Sequence, residues 1–405
     1  MFGARFALGS AYVLFAILLN SVGAVILQSM RSFGVDHAEA AVLEGFKDLP
    51  IAIVSFLVAS FLPRLGYRRA MIAAFALVGA ACLAMPLAPG FLTTKLLFLA
   101  VGVGFALVKV SVYAAIGLLA KDQNAHASML NIIEGVFMIG VFAGYWLFSL
   151  FVDADDPGSL SWLGVYWPLA GLAAFNVVLM SRIDFPEPPR REERGSLGGD
   201  FAGMIGLVAI PAVIVFLVAA FLYVLIEQGL GTWFPTFIAD ELHVPEAMSI
   251  QFASIFAAGL AIGRLGAGAL LRVVGWYPLL NACVIGMGAL LLVALPLAEG
   301  VEARADATWF DAPAAAYALP LVGLLLAPVY PAINSVILSS LPKERHAAMA
   351  GLIVVFSALG GTTGSLVVGR LFGAYGGQNA FYALLIPIAG LLAALFFLRR
   401  RSRVG

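Results

Sequence analysis

Three charged residues stand together in the stretch LEGFKDLPIAIVSF, where Glu44, Lys47 and Asp48 open an otherwise apolar run. Residues three and four apart share a helix face, so a helix here presents the carboxylates and the ammonium side by side. Lys47 can neutralise one acid but not both, which gives the second a reason to carry a proton. The same cluster also serves as an outer gate or a helix-packing ion pair. Three more ionisable groups lie deeper in apolar surroundings: Lys109 in GVGFALVKVSVYAAI, Glu134 in MLNIIEGVFMIG, and Glu227 beside Gln228. A charge at bilayer depth costs about 2.5–3.5 kcal/mol, so each must face a cavity or a partner. Lys109 and Glu134 make either a pair tying two helices or a cation whose partner changes during work. Arg264 and Arg370 each follow a glycine, in IGRL and VGRL. They read as gate or structural charges on the cytoplasmic halves of their helices; Lys47 near the outer end and Arg64 at the inner end of the second helix read as gate or structural charges too.

The elements that hold these groups are set by composition. Of 405 residues 62% are hydrophobic and 11% are charged, against about 25% charged in soluble domains. The apolar runs reach twenty residues or more, which specifies transmembrane helices rather than a barrel of short alternating strands. Twelve runs are predicted: 8–30, 40–62, 70–89, 92–119, 128–151, 161–180, 204–239, 247–271, 277–298, 314–340, 347–374 and 379–398. The long seventh run is expected to include a non-membrane portion near its outer end. Cys82 and Cys283 sit in apolar runs as small fillers, and no cofactor or metal site is predicted. The zero net charge gives no sign of a nucleic-acid partner.

Positive charge orients the chain. With both termini cytoplasmic, the inner segments carry Arg5, Arg64, Arg68, Arg69, Lys121, Arg182, Arg190, Arg191, Arg194, Arg272, Lys343, Arg345, Arg399, Arg400, Arg401 and Arg403. The outer segments carry only Arg31, Lys95 and Arg304. Sixteen against three favours both ends inside and an even number of spans, and the membrane expected is a plasma membrane, the inner one in a bacterium. The polar stretch IDFPEPPRREERGSLGGD then separates two sets of six spans. The expected division is an N-terminal bundle over 1–181, a linker over 182–203 and a C-terminal bundle over 204–405.

The halves repeat. His126-Ala127-Ser128-Met129 matches His346-Ala347-Ala348-Met349 at an offset of 220, at which Gly140 also meets Gly360 and Gly144 meets Gly364. The turn PRLGYRR has a counterpart in LLRVVGW, with Gly66 opposite Gly275. Two parallel six-helix repeats are the plan of a rocking-bundle transporter.

On these features the chain resembles the major facilitator superfamily over essentially its whole length. Arg64, Gly66, Arg68 and Arg69 fit that superfamily's turn between helices two and three, with Pro63 where its acid stands. IGRLGAGALLRVVG, VYPAINS, MLNIIEGVFMIG and EQGLGTWFPTF resemble the fucose:proton symporter family within it. The resemblance implies an all-α, twelve-helix fold, a monomer, and a central path lined by helices one, four, seven and ten. Lys109 and Glu227 then face the path and Glu134 lies near it. Two departures stand out: LLNSVGAVILQS has no acid in helix one, and Lys109 occupies the region of the helix-four acid.

Sugar sites combine amides and acids with aromatic faces. The candidate substrate residues are Asn20, Gln28, Lys109, Tyr113, Asn131, Gln228, Tyr330 and Asn334, with Phe137 and Trp233 as further aromatics. The candidate proton carriers are Glu134, Glu227, Asp48 and Glu44. The function expected is proton-coupled uptake of a monosaccharide-like small molecule. The alternatives are a small organic anion held by Lys109, and efflux by antiport, against which span five has three glycines but no Gly-Pro element. An enzyme is not indicated: the four histidines lie near span ends and no HExxH or GxSxG pattern occurs.

Overall fold

The computed structural model describes residues 2–119, 123–183, 185, 204–302, 308–342 and 345–402. Side chains at 2, 56, 58–64, 123–127, 269, 272, 347 and 402 also lie outside what is described, which covers Arg64 and the first half of the His126 motif. The interior of the linker over 182–203 lies outside it too.

Among the described residues every regular element is helical. Eleven helices among the described residues are long and apolar enough to cross a membrane. Span two, Val42–Leu65, has 24 residues, about 36 Å at 1.5 Å per residue. Several predicted spans are interrupted. Span one is Phe2–Asn20 followed by Val22–Phe33, broken at Ser21, whose hydroxyl bonds the Leu18 carbonyl. Span seven is Pro211–Gly231 followed by Phe234–Asp240. Its surplus length falls before Ile210 at the inner end, where Pro211 restarts the helix. At its outer end Phe234–Ala239 are all buried within the protein. Span ten is divided by a short 3-10 turn, Leu319–Leu321, and by Ala327–Pro328 before Val329–Ser339.

Contacts divide the chain into two compact units. One holds Met1–Gly34 and Phe46–Leu197, the other Val35–Gly45 and Gly198–Gly405. The outer tip of span two thus belongs with the C-terminal spans.

Helix pairing repeats between units. Span one packs on span five, span three on span six, and span three on span four; span seven packs likewise on span eleven, span nine on span twelve, and span nine on span ten. The repeated glycines are the reason. A Cβ on Gly140 would meet Val13 and Ala16, and one on Gly144 would meet Ile17. In the other unit a Cβ on Gly360 would meet the Phe221 carbonyl at 2.5 Å, and one on Gly364 the Leu225 carbonyl at 2.2 Å. Val13 to Phe221 and Ile17 to Leu225 are the same displacement along the chain, so each small-xxx-small face receives an equivalent stretch of its partner. The paired turns agree: Gly66 has φ of 87° and Gly275 of 78°, a region that favours glycine.

In the first of these turns Arg68 closes the end of span six. Its Nε donates to the Met180 carbonyl at 2.8 Å and its guanidinium also reaches the Ser181 carbonyl. Both carbonyls lie in the last turn of a helix, where they lack intrahelical donors and favour a cation. Arg68→Ala should cost about 1–2 kcal/mol of stability, and Arg68→Lys most of that, because an ammonium lacks the planar fork. Thermal melting of the purified variants checks it; an unchanged midpoint for Arg68→Ala contradicts the role.

Candidate functional site

Among the described residues, each unit carries a cluster of an acid, a base and tyrosines on its helices. In the N-terminal unit, span four (Phe91–Leu119) presents Phe105, Lys109 and Tyr113 at one-turn intervals, and span five (Gln123–Ser149) presents Glu134. The Tyr113 hydroxyl donates to Glu134 Oε1 at 2.9 Å. Lys109 Nζ lies 5.6 Å from the Phe105 ring and 5.9 Å from the Tyr113 ring, with Glu134 as its electrostatic partner. Tyr12 of span one joins them. Its buried ring packs on Phe105 at 6.4 Å and Phe137 at 5.7 Å, and its hydroxyl faces Tyr113 and Glu134.

In the C-terminal unit, span seven presents Tyr223, Glu227 and Gln228, and span eight (Glu246–Val274) presents Arg264. Arg264 lies 3.8 Å from Glu227 Oε1, which also accepts from the Tyr223 hydroxyl at 3.1 Å. Tyr223 stacks on Tyr330 of span ten with centroids 5.1 Å apart and planes at 23°. The Tyr330 hydroxyl shares a 2.7 Å hydrogen bond with Ser357 of span eleven and faces Asn334. Each cluster therefore contains an acid, a base and two tyrosines, so each cation has a carboxylate inside its own unit. Opposite charges brought together in low dielectric offset the cost of burying either one.

The three residues of the opening triad lie on one helix, Val42–Leu65. Lys47 is buried, pairs with Asp48 at 3.5 Å and reaches the Leu19 carbonyl at 3.4 Å. Its carbonyl lies where a Cβ on Gly102 would come within 2.3 Å, so spans two and four cross here in close contact. Glu44 is fully buried in the C-terminal unit, where Oε2 lies 3.1 Å from the Thr232 hydroxyl. Gln228 lies on the other side of that hydroxyl, with Oε1 at 3.4 Å.

The other candidates are dispersed. Asn20 bonds its own helix at the Ala16 carbonyl, Gln28 is buried, and Asn131 is exposed on span five. Trp233 is fully buried and donates to the Ser365 carbonyl. The placement of Arg370 on a cytoplasmic half is corrected. In the orientation expected from the positive charges span eleven runs outward from His346, and Gly369 beside Arg370 packs against Trp233 and His37, the residues assigned to the outer side. The error came from treating IGRL and VGRL alike although their helices run in opposite directions. Tyr12, Tyr223 and Ser357 were absent from the sequence candidates. Tyr223 had a usable signal, standing one helical turn before Glu227. Ser357 and Tyr12 had none beyond being polar in apolar runs. No group of three or more His, Cys, Asp or Glu suited to a metal occurs among the described residues.

Comparison with known proteins adds the following. The family model described as Major Facilitator Superfamily matches residues 7–365. No curated protein sequence matches. Among solved structures, a variant of the nucleoside transporter NupG superposes with a TM-score of 0.75 at 14% identity, covering 98% of this chain and 99% of that one. A bacterial homologue of the human lysosomal transporter Spinster gives 0.74 at 14% identity, covering 98% and 97%. A variant of the E. coli fucose:proton symporter FucP gives 0.61 at 16% identity, covering 98% of both chains. At these identities the likeness is one of fold.

Proposed function

Because the chain belongs to the Major Facilitator Superfamily, and is thus a membrane transporter and not an enzyme, we propose that it carries a small, neutral, hydroxylated solute of monosaccharide size together with protons. The observation that carries this reading is the internal charge balance of the two clusters. A cation without a partner in low dielectric favours an anionic ligand. Lys109 has Glu134 and Arg264 has Glu227, so neither cluster offers an uncompensated positive charge. What both offer is tyrosine hydroxyls and aromatic faces, the chemistry that hydroxylated rings recognise. The reading accords with the names of two structural neighbours, a nucleoside transporter and a fucose:proton symporter.

Glu134 is the proton carrier in this reading. Its hydrogen-bond donor is a neutral phenol, and protonation of Glu134 removes the charge that holds Lys109. Glu227 faces a guanidinium, which stays charged. That pair therefore acts as a fixed ionic contact beside the Tyr223–Tyr330 platform. The working protein is a monomer in a plasma membrane, the inner one in a bacterium, with both termini cytoplasmic.

The test uses proteoliposomes holding a trapped pH dye. Neutral monosaccharides, nucleosides and sugar acids are added outside in turn, without an imposed gradient. A neutral sugar or nucleoside should acidify the lumen as it enters. Movement of sugar acids alone, or solute entry without a pH change, sinks the proposal.

A further inference from the structure

The segment Val35–Gly45 is docked on the C-terminal unit by a set of contacts centred on His37. Its imidazole stacks on Phe372 at 4.9 Å and 16°, and on Trp233 at 5.9 Å and 22°. His37 Nε2 lies 3.8 Å from Oδ2 of Asp240 and is shielded from solvent. Glycines on span eleven make room: a Cβ on Gly369 would meet the Ala41 Cβ at 2.8 Å and the His37 carbonyl at 2.9 Å, and one on Gly373 would lie 3.4 Å from the His37 Cβ. Below this, Ser365 Oγ donates to the Ala41 carbonyl.

We propose that His37 is a proton-sensitive latch, whose imidazolium form strengthens the docking of Val35–Gly45 on spans seven and eleven. A neutral imidazole beside Asp240 gains only packing. The imidazolium gains attraction from the carboxylate and from two ring faces, which favour a cation above them. Histidine is the side chain whose ordinary charge change spans pH 5 to 8. The charged groups on its own segment are Asp36 and Glu39, and those on the elements packed against it are Asp240 and Glu241 at the end of span seven and the exposed Arg370 on span eleven. Asp36 accepts from the Glu39 amide and Glu241 from the Gly377 amide. Residues 46 onward in span two belong to the N-terminal unit, so motion of one unit against the other must carry this docking or break it. Acid on the side that His37 faces therefore holds the docked form. The latch requires no particular solute and does not depend on Glu134 as proton carrier.

The measurement is a spin-label distance within the C-terminal unit, in full-length protein in lipid nanodiscs. Labels replace Ala38 and the exposed Tyr375, and the two native cysteines become alanine in this background. Between pH 8 and pH 5.5 the ratio of docked to undocked distances should rise roughly fivefold or more, from a carboxylate pair and two ring faces together. In His37→Gln the ratio should not change with pH. Asp240→Asn, which keeps the residue's shape, should lose most of the response. A ratio that ignores pH in the parent, or the same response in either variant, overturns the latch. Because no transport is measured, this result stands apart from the coupling test above.

Discussion

Glu134→Gln should convert the transporter from one that concentrates its solute into one that only equilibrates it. Glutamine keeps the size and hydrogen-bonding reach of a protonated glutamate, so Tyr113 retains a partner where it now donates to Oε1 at 2.9 Å. What is lost is the capacity to bind and release a proton. Each pH unit across the membrane is worth about 1.4 kcal/mol per proton. With one proton per solute and two pH units imposed, accumulation is bounded at about 100-fold. In proteoliposomes loaded with the neutral solute identified by the dye assay, the parent should approach that bound. The variant should stop at equal concentrations inside and out, while still exchanging labelled for unlabelled solute. Accumulation surviving in Glu134→Gln moves the proton site elsewhere, with Glu227, Asp48 and Glu44 the remaining acids.

Lys109 sharpens that experiment. If Lys109 serves only to balance Glu134, then Lys109→Gln leaves an uncompensated carboxylate, and adding Glu134→Gln restores folding and exchange. A double-mutant cycle on thermal stability should then show a coupling of about 1 kcal/mol or more, since the two groups share one network. Independent effects would mean that Lys109 meets the solute directly.

How much of this was readable beforehand depended on whether the signal was local. The all-helical fold follows from the apolar runs, because lipid penalises charge and unpaired backbone wherever they occur. The repeat was readable because close helix crossings admit only glycine, and glycine leaves a mark in the sequence that leucine does not. The breaks in spans one, seven and ten were less legible, since a single Ser21 or Pro211 within apolar sequence does not announce its depth. Among the site residues, a Lys109–Glu134 pair was one reading of the sequence, while Tyr113 was marked only as a separate aromatic. Their meeting depends on the angle at which spans four and five cross. Arg264 was marked as a buried charge, but its partner Glu227 stands 37 residues earlier on another helix, and nothing in either local pattern joins them. Trp233 suggested an interface or sugar-facing aromatic, and it is core. The hydrophobic period says that a residue is covered but not by what.

The second large effect concerns the crossing of spans seven and eleven. A methyl group has two consequences at a helical glycine. It gains about 1 kcal/mol of helix propensity, and it must fit. At Gly144 the nearest atom to a new Cβ is the Ile17 Cα at 3.2 Å, and the next two are side-chain carbons at 3.5 Å and 3.6 Å, so a few tenths of an ångström accommodate it. At Gly364 the nearest three are the carbonyl oxygen, carbonyl carbon and Cα of Leu225 at 2.2, 2.9 and 2.9 Å. Backbone atoms of a packed helix cannot rotate aside, so the two helices must separate along their contact. Overpacking costs about 1–3 kcal/mol where side chains absorb the strain, and more where they cannot. Gly144→Ala should therefore melt near the parent, Gly364→Ala clearly below it, and Gly364→Val should give little monodisperse protein in detergent. Because the two positions are equivalent in the repeat, any general penalty for removing glycine from a small-xxx-small face cancels between them. Equal losses at Gly144 and Gly364 would mean that the Leu225 backbone gives way, and that the tight crossing is not what holds the C-terminal bundle together.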